Sequence, residues 1–300
     1  MRALPPQTLH DPIEAGPYRM TMGLTAVADS AWFEFDALYP AEMAEKRALL
    51  QDRRLEVFAA MPESQAARAE TLNIVAANLC THHADWFVQD GPRLRNRLTA
   101  ETWNLTSPSL DPIELAARLV QEDLCLIQDS PIGPMFTAGV VCFPSRWLLD
   151  DKIGKPLAAV HGPVPLFANR LAGPVDRFMH HLKPGHIAGR LNWSVLDDPA
   201  LFQPAGKWRQ AHNARVTADN AGDALFARVE RQTLRRLPHS GAVLFGIRVH
   251  VYPLARLVTG PRDAERIASA VRALPEEIAQ YKSLPPFRSA LLAWLDGRAG

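Results

Sequence analysis

The sequence predicts an α+β fold in which an antiparallel β-sheet carries additional N-terminal and C-terminal helices. Three observations carry that prediction: helical periodicity from Pro40 onward, pairs of strand-like runs joined by Pro- and Gly-containing turns, and a return to helical periodicity after Pro261. The 300 residues, 47% of them hydrophobic, are ample for a buried core. With no internal repeat, low-complexity tract or obvious linker, one domain over residues 1–300 is the simplest organisation.

Residues 1–40 hold several prolines and the aromatic cluster "WFEFDALYP", the marks of an extended arm packed onto the body. "AEMAEKRALLQDRRLEVFAA" then repeats Met43, Leu50 and Val57, and "TLNIVAANLCTHHADWF" sets Leu72, Val75, Leu79, His82 and Trp86 on one stripe, so the first third is expected to be mainly helical. His82 and His83 point about 100° apart on a helix, which gives them structural roles rather than one shared metal. After Pro112, "LVQEDLCLIQD", "SPIGP" and "MFTAGVVCFPSRW" read as two strands around a turn.

"GRLNWSVLDDP" and "LFARVERQTLRRLPHSGAVLFGIRVHVYPL" supply further strands, the last pair hinged at "PHSG". Phe226, Val229, Thr233 and Leu237 would also make a helical stripe. The turn residues Ser240 and Gly241 and the β-branched and aromatic run "AVLFGIRVHVY" decide for strand. Residues 146–185 read as short helices broken by Gly154, Pro156, Pro163, Pro165 and Pro174, and residues 261–300 as C-terminal helices.

Thirty-three basic residues against 32 acidic ones give a formal charge of +1, which removes the electrostatic case for nucleic acid or an anionic membrane. Cys80, Cys125 and Cys142 are far apart and odd in number, against a disulfide framework or a cysteine-held metal. The N-terminus lacks an apolar signal core, and no run of about 18 apolar residues occurs. A cytoplasmic location is the expectation.

No G-x-S-x-G elbow, P-loop, H-E-x-x-H or strand-following G-x-G-x-x-G is present, so polar residues in apolar surroundings carry the functional reading. Gln121, Glu122 and Asp123 sit between apolar flanks, where a buried carboxylate needs a partner or a proton; a solvent-facing edge is the plainer alternative. Arg228, Arg231, Arg235 and Arg236 crowd one strand. Alternation puts Arg231 and Arg235 on one face with Val229 and Thr233, and Glu230, Gln232 and Arg236 on the other with Leu234. Such arginines can clamp carboxylates or form a solvated face. In "GKPLAAVHGPVPLF", Gly162 permits close approach to the backbone and Pro163 and Pro165 restrict it, so His161 is pre-oriented. A neutral, pre-oriented imidazole between apolar residues suits a planar iron cofactor, and equally a hydrogen-bonded core histidine.

"MGLTAV", "RLVQEDLCLI", "VCFPSRW", "KPLAAVHGPVP", "NWSVLDDPALFQP" and "RVERQTLRRLPHSGAVLFGIRVHVYPL", in that order, resemble the haem-dependent oxidative N-demethylase α-subunit-like family over roughly residues 20–260. The resemblance implies a PAS-like antiparallel sheet that binds b-type haem. It implies oxidative demethylation of a small secondary amine, dimethylamine, to methylamine and formaldehyde, with oxygen consumed. Electrons would come from NADPH through flavin (FMN) and iron–sulfur carriers on partner subunits, since this chain has no cysteine cluster and no nucleotide fingerprint.

Carried onto this chain, the resemblance makes His161 the iron ligand, with His180, His181 and His250 as alternatives. Arg146, Arg231 and Arg235 become partners for the haem propionates. Glu230 and Trp193 become acceptors for a protonated amine, and Glu230, Glu122 and Asp123 candidates for proton management. A haem-based gas sensor or haem carrier without turnover is the competing function, and a chain that has lost the cofactor is a third.

Overall fold

The computed structural model describes residues 2–300. Its centre is a seven-stranded sheet in the order β1-β8-β9-β10-β6-β7-β2, every pairing antiparallel. The strands are β1 (Thr25–Val27), β2 (Phe58–Ala60), β6 (Asp123–Gln128), β7 (Met135–Val140), β8 (Ile187–Leu196), β9 (Phe226–Arg236) and β10 (Val243–Pro253). A separate three-stranded sheet joins β3 (Phe87–Asp90), β4 (Arg93–Asn96) and β5 (Thr102–Asn104). The expected α+β class is what the structure has.

Both sequence-predicted hairpins form. β9 and β10 pair from Phe226–Pro253 to Arg236–Val243, and the turn closes with Gly241 at φ 70°, where glycine avoids the strain of a Cβ. The Glu70 carboxylate accepts the backbone N–H groups of His239 (2.8 Å) and Ser240 (2.7 Å), which ties this tip to helix Gln65–His82. β6 and β7 pair with a register shift at Leu126/Ile127.

The first third departs from the helical expectation in two places. The helix that begins at Tyr39 ends at Asp52, and after one short turn at Arg54–Val57 the chain becomes β2, the sheet edge against β7. "FVQD", "RLRN" and "TWN" form the small sheet, whose strands of three and four residues are too short for periodicity to reveal. Helix Gln65–His82 buries Leu72, Val75 and Leu79 as its stripe requires. His82 pairs with Asp29 (2.9 Å), and His83 stacks near Phe35 and Trp86, its pKa lowered by burial to about 4. Both histidines have the expected structural roles.

The arm is extended and packed, as its composition implies. Trp32, Phe33 and Phe35 are buried against the sheet and helix Tyr39–Asp52. Residues 157–182 lie against the other sheet face, where Leu157, Met179 and Leu182 contact Ile127 and Val243. The C-terminal helices Pro261–Ala273, Glu276–Tyr281 and Arg288–Ala299 close a third cluster with Val195, Val229 and Tyr252. Among the described residues, no helix is long and apolar enough to cross a membrane.

Candidate functional site

His161 ends the short helix Leu157–Val160, where Gly162 and Pro163 stop its continuation. Its Nδ1 lies 2.8 Å from the Leu157 carbonyl oxygen. A carbonyl only accepts, so Nδ1 carries the proton and Nε2 keeps its lone pair. The ring stacks on Phe167, with centroids 4.3 Å apart and planes 10° apart. Burial lowers its pKa, and the charges of Lys152 and Arg190 lower it further against the opposing Leu157 bond. The imidazole is therefore neutral, oriented and available through Nε2. A cavity of about 260 Å³ adjoins it, walled by Gly162, Val164, Leu166 and Phe167. Leu166 holds a left-handed backbone (φ 65°), a strained state for a residue with a Cβ.

The sheet face beneath this segment is set by register. Arg190 lies opposite Gln232, Asn192 opposite Glu230, and Leu234 opposite Phe245. Glu230 is the carboxylate of this face. Burial alone would raise its pKa, but Ser145 donates to Oε1, Arg228 is close, and Gln232 (2.8 Å) and Asn192 (3.4 Å) donate to Oε2, which together hold it below its usual range. Arg228 in turn donates to Ser145 Oγ (2.8 Å) and to the Phe143 carbonyl (2.8 Å). Trp193 lies opposite Val229 and so on the other sheet face from Glu230, packed with the C-terminal helices; its ring is covered by the Lys282 ammonium, 4.9 Å from the centroid, and its carbonyl accepts from the same group.

The structure does not gather all the sequence-predicted residues here. Arg231 and Arg235 occupy the opposite sheet face, as alternation predicts, and there they hold the arm. Arg231 pairs with Glu34 (3.1 Å) and donates to the Trp32 carbonyl (3.0 Å), while Arg235 pairs with Asp29 and lies over the Trp32 ring. Arg146 is buried in an ion pair with Asp197 (3.0 Å) and donates to Gln203 (3.2 Å).

Glu122 accepts the Glu34 N–H (3.0 Å) on the arm side, and burial raises its pKa to about 7. Asp123 accepts the N–H groups of Cys142 (2.9 Å) and Phe143 (2.8 Å) and lies 3.6 Å from Lys46. These contacts commit both carboxylates to joining segments of the fold. Their apolar flanks signalled burial without revealing the partners.

The alternative histidines are also placed. His180 and His181 are exposed at the end of helix Ala172–His181, and His181 bonds back to the Arg177 carbonyl (2.7 Å). His250 is buried on the arm side, its Nε2 3.0 Å from Glu34 Oε2, an oxygen that His10 also reaches at 3.0 Å. This His10–Glu34–His250 group has its ligand atoms within 4.8 Å of one another, the spacing of a metal site. In the described structure the same atoms are joined by hydrogen bonds, and Arg231 already neutralises Glu34.

Sequence reasoning missed Ser145, Asn192, Gln232, Arg190, Lys207 and Lys282 as neighbours of Glu230. Alternation in "GRLNWSV" puts Arg190 and Asn192 on one face, and that was the available signal; Lys207 and Lys282 come from a loop and the C-terminal helices, with nothing in the sequence to link them.

The donor chemistry at His161, an unprotonated Nε2 with its other nitrogen fixed to a carbonyl and apolar walls alongside, is of the kind that suits a haem iron. The family described as haem-dependent oxidative N-demethylase, alpha subunit-like, matches residues 23–292. That match runs through β1, the Glu230 face, the His161 segment and most of the C-terminal helices, and the chain belongs to the haem-dependent oxidative N-demethylase alpha-subunit-like family.

Proposed function

We propose that this chain binds b-type haem through His161 and catalyses oxidative N-demethylation of a small secondary amine of the dimethylamine kind. The observation that carries the reading is the His161 Nδ1–H bond to the Leu157 carbonyl, which leaves a neutral Nε2 directed away from the backbone bond. When bound there, haem supplies the oxygen chemistry that oxidises an N-methyl group. The overall balance is (CH3)2NH + O2 + two electrons + two protons giving CH3NH2 + HCHO + H2O. The electrons come from NADPH through FMN and iron–sulfur carriers on partner subunits, in keeping with the alpha-subunit character of the family.

The chain's own residues bind, orient and enclose. Glu230, kept ionised by Ser145, Gln232 and Asn192, receives the protonated amine. Ser145 accepts from Arg228 and donates to Glu230, bridging the two and fixing the carboxylate rotamer. Trp193 is covered by Lys282 rather than offering a free aromatic face. Leu157, Phe178 and Leu182 cover the sheet and exclude water. The cavity of about 260 Å³ is below the roughly 300–1,000 Å³ of ligand pockets, so admitting the macrocycle would require residues 157–182 to open outward.

Absorption spectra of protein prepared with added haem, in ferric, dithionite-reduced and CO-bound forms, test this reading. The wild type is expected to give a Soret band that shifts with CO, and His161→Ala a weak or altered one. Dimethylamine-dependent oxygen uptake with release of formaldehyde establishes turnover once the partner reductase is supplied. Haem uptake without amine-dependent oxygen uptake would make the chain a sensor or carrier, and an unchanged spectrum in His161→Ala would remove His161 as the ligand.

A further inference from the structure

Between the His161 segment and the free edge of β8, basic side chains gather without an ion-pair partner. Arg190 makes no side-chain hydrogen bond or ion pair among the described residues, and its Nε is buried and unpartnered. Lys207 donates only to the Tyr281 hydroxyl (3.3 Å) and lies over that ring at 4.5 Å. Lys282 donates to the Trp193 carbonyl, on the edge of β8 that β1 leaves free by pairing only with Ile187–Gly189. Lys152 donates to the Val160 carbonyl (2.9 Å), one residue before His161.

Glu230 is the carboxylate whose charge reaches Arg190, Lys207 and Lys282, and its oxygens are already engaged by Ser145, Gln232 and Asn192. One carboxylate cannot balance these cations. Half-buried cations without counter-charge are costly, and burial holds both Lys207 and Lys282 down at about 8. A guanidinium with its fork unused and two ammonium groups beside it are the donor set for a carboxylate.

We propose that Arg190, Lys207 and Lys282 form a carboxylate-binding site between the His161 segment and the free edge of β8. Two sources carry that chemistry: the propionates of haem, in which case the site rests on the haem reading above, and the carboxylate of an N-methylated amino acid whose ammonium meets Glu230.

Equilibrium titrations followed at the Soret band compare haem with its dimethyl ester, whose propionates are capped, in the wild type, Arg190→Met and Lys207→Met. Propionate binding predicts that the wild type prefers haem over the diester by about tenfold or more and that either variant erases the preference. A substrate carboxylate predicts equal affinity for haem and diester in all three proteins. In that case N-methylglycine perturbs the spectrum of the wild type alone, and dimethylamine acts on all three alike. If neither difference appears in folded variants, the site is overturned. Circular dichroism identifies the folded variants; should Arg190→Met not fold, Arg190→Lys keeps the charge, loses the planar fork and is expected to lose a smaller part of the preference. If the wild type takes up no haem, the haem reading fails separately. Calorimetric titration of glutarate into the haem-free chain then decides: binding weakened in the variants retains the site, and no binding removes it.

Discussion

Arg248 on β10 and Asp36 in the arm form a fully buried ion pair, with Nη2 2.9 Å from Oδ2. The other arm of the guanidinium pairs with Glu42 on helix Tyr39–Asp52 at 2.8 Å. One strand residue thus fixes both the arm and the first helix to the sheet. Removing one partner of such a group leaves a charge without compensation in the interior, which costs about 3–5 kcal/mol. Asp36→Asn is expected to lower stability by about 3 kcal/mol, and Arg248→Met by at least as much because it strands two carboxylates. Urea midpoints at constant m-value measure both.

The arm is also held by a pH-dependent contact. Burial would raise the Glu34 pKa, but hydrogen bonds from His10 and His250 and the charge of Arg231 hold it far below the usual carboxylate range. Burial likewise lowers His250, against the opposing Glu34 bond. A carboxylate with a depressed folded pKa gives stability that is complete above its unfolded value and is lost as pH falls below it. A histidine with a depressed pKa also loses stability on acidification, starting below about 6.5. Stability of the wild type should therefore fall below about pH 6.5 as His250 is forced to charge, and again below about pH 4.5 as the Glu34 contribution is lost, and Glu34→Gln should remove the lower fall. Urea unfolding at intervals across this range checks it, and an equally steep fall in the variant would show that other groups dominate.

Glu122 has the opposite sign. Burial raises it from 4.5 to about 7, so its contribution is complete below pH 4.5, declines as pH rises through 7 and is constant above. Glutamine keeps the acceptor for the Glu34 N–H and has no proton to lose. Glu122→Gln should gain stability relative to the wild type by roughly 3 kcal/mol between pH 4.5 and pH 8. A difference independent of pH would mean that Glu122 does not titrate in this range.

Gly222, in the short helix Ala221–Ala224, lies against the indole of Trp294, and a Cβ at that position would overlap the ring. Gly222→Ala should cost about 1–3 kcal/mol by overpacking. In a Trp294→Phe background, where the six-membered part of the indole is gone, the cost should shrink. A double-mutant cycle of thermal unfolding measures the coupling, and additive effects would place the cost in the helix backbone instead.

The chemistry of each segment was legible in the residues. Alternation along "RVERQTLRR" put Arg231 and Arg235 on the face opposite Glu230, and the structure keeps them there. The turn residues around Ser240 and Gly241 specified the β9–β10 hairpin, and the prolines beside His161 specified a broken helix. These are local properties, governed by a period of two residues in a strand and by the restricted backbone of proline.

Partnership was decided only in three dimensions. Composition could not show that Arg231 and Arg235 serve the arm, since Asp29 and Glu34 lie about 200 residues away in the chain. Nor could it show that Lys207 and Lys282 come within reach of the Glu230 charge, because a loop and the C-terminal helices bring them there. Phe58–Ala60 reads as the end of a helix until β7 offers a ladder to its backbone. In each case long-range packing and buried charge outweigh local preference, so the sequence determined which groups are present and the tertiary structure determined which of them meet.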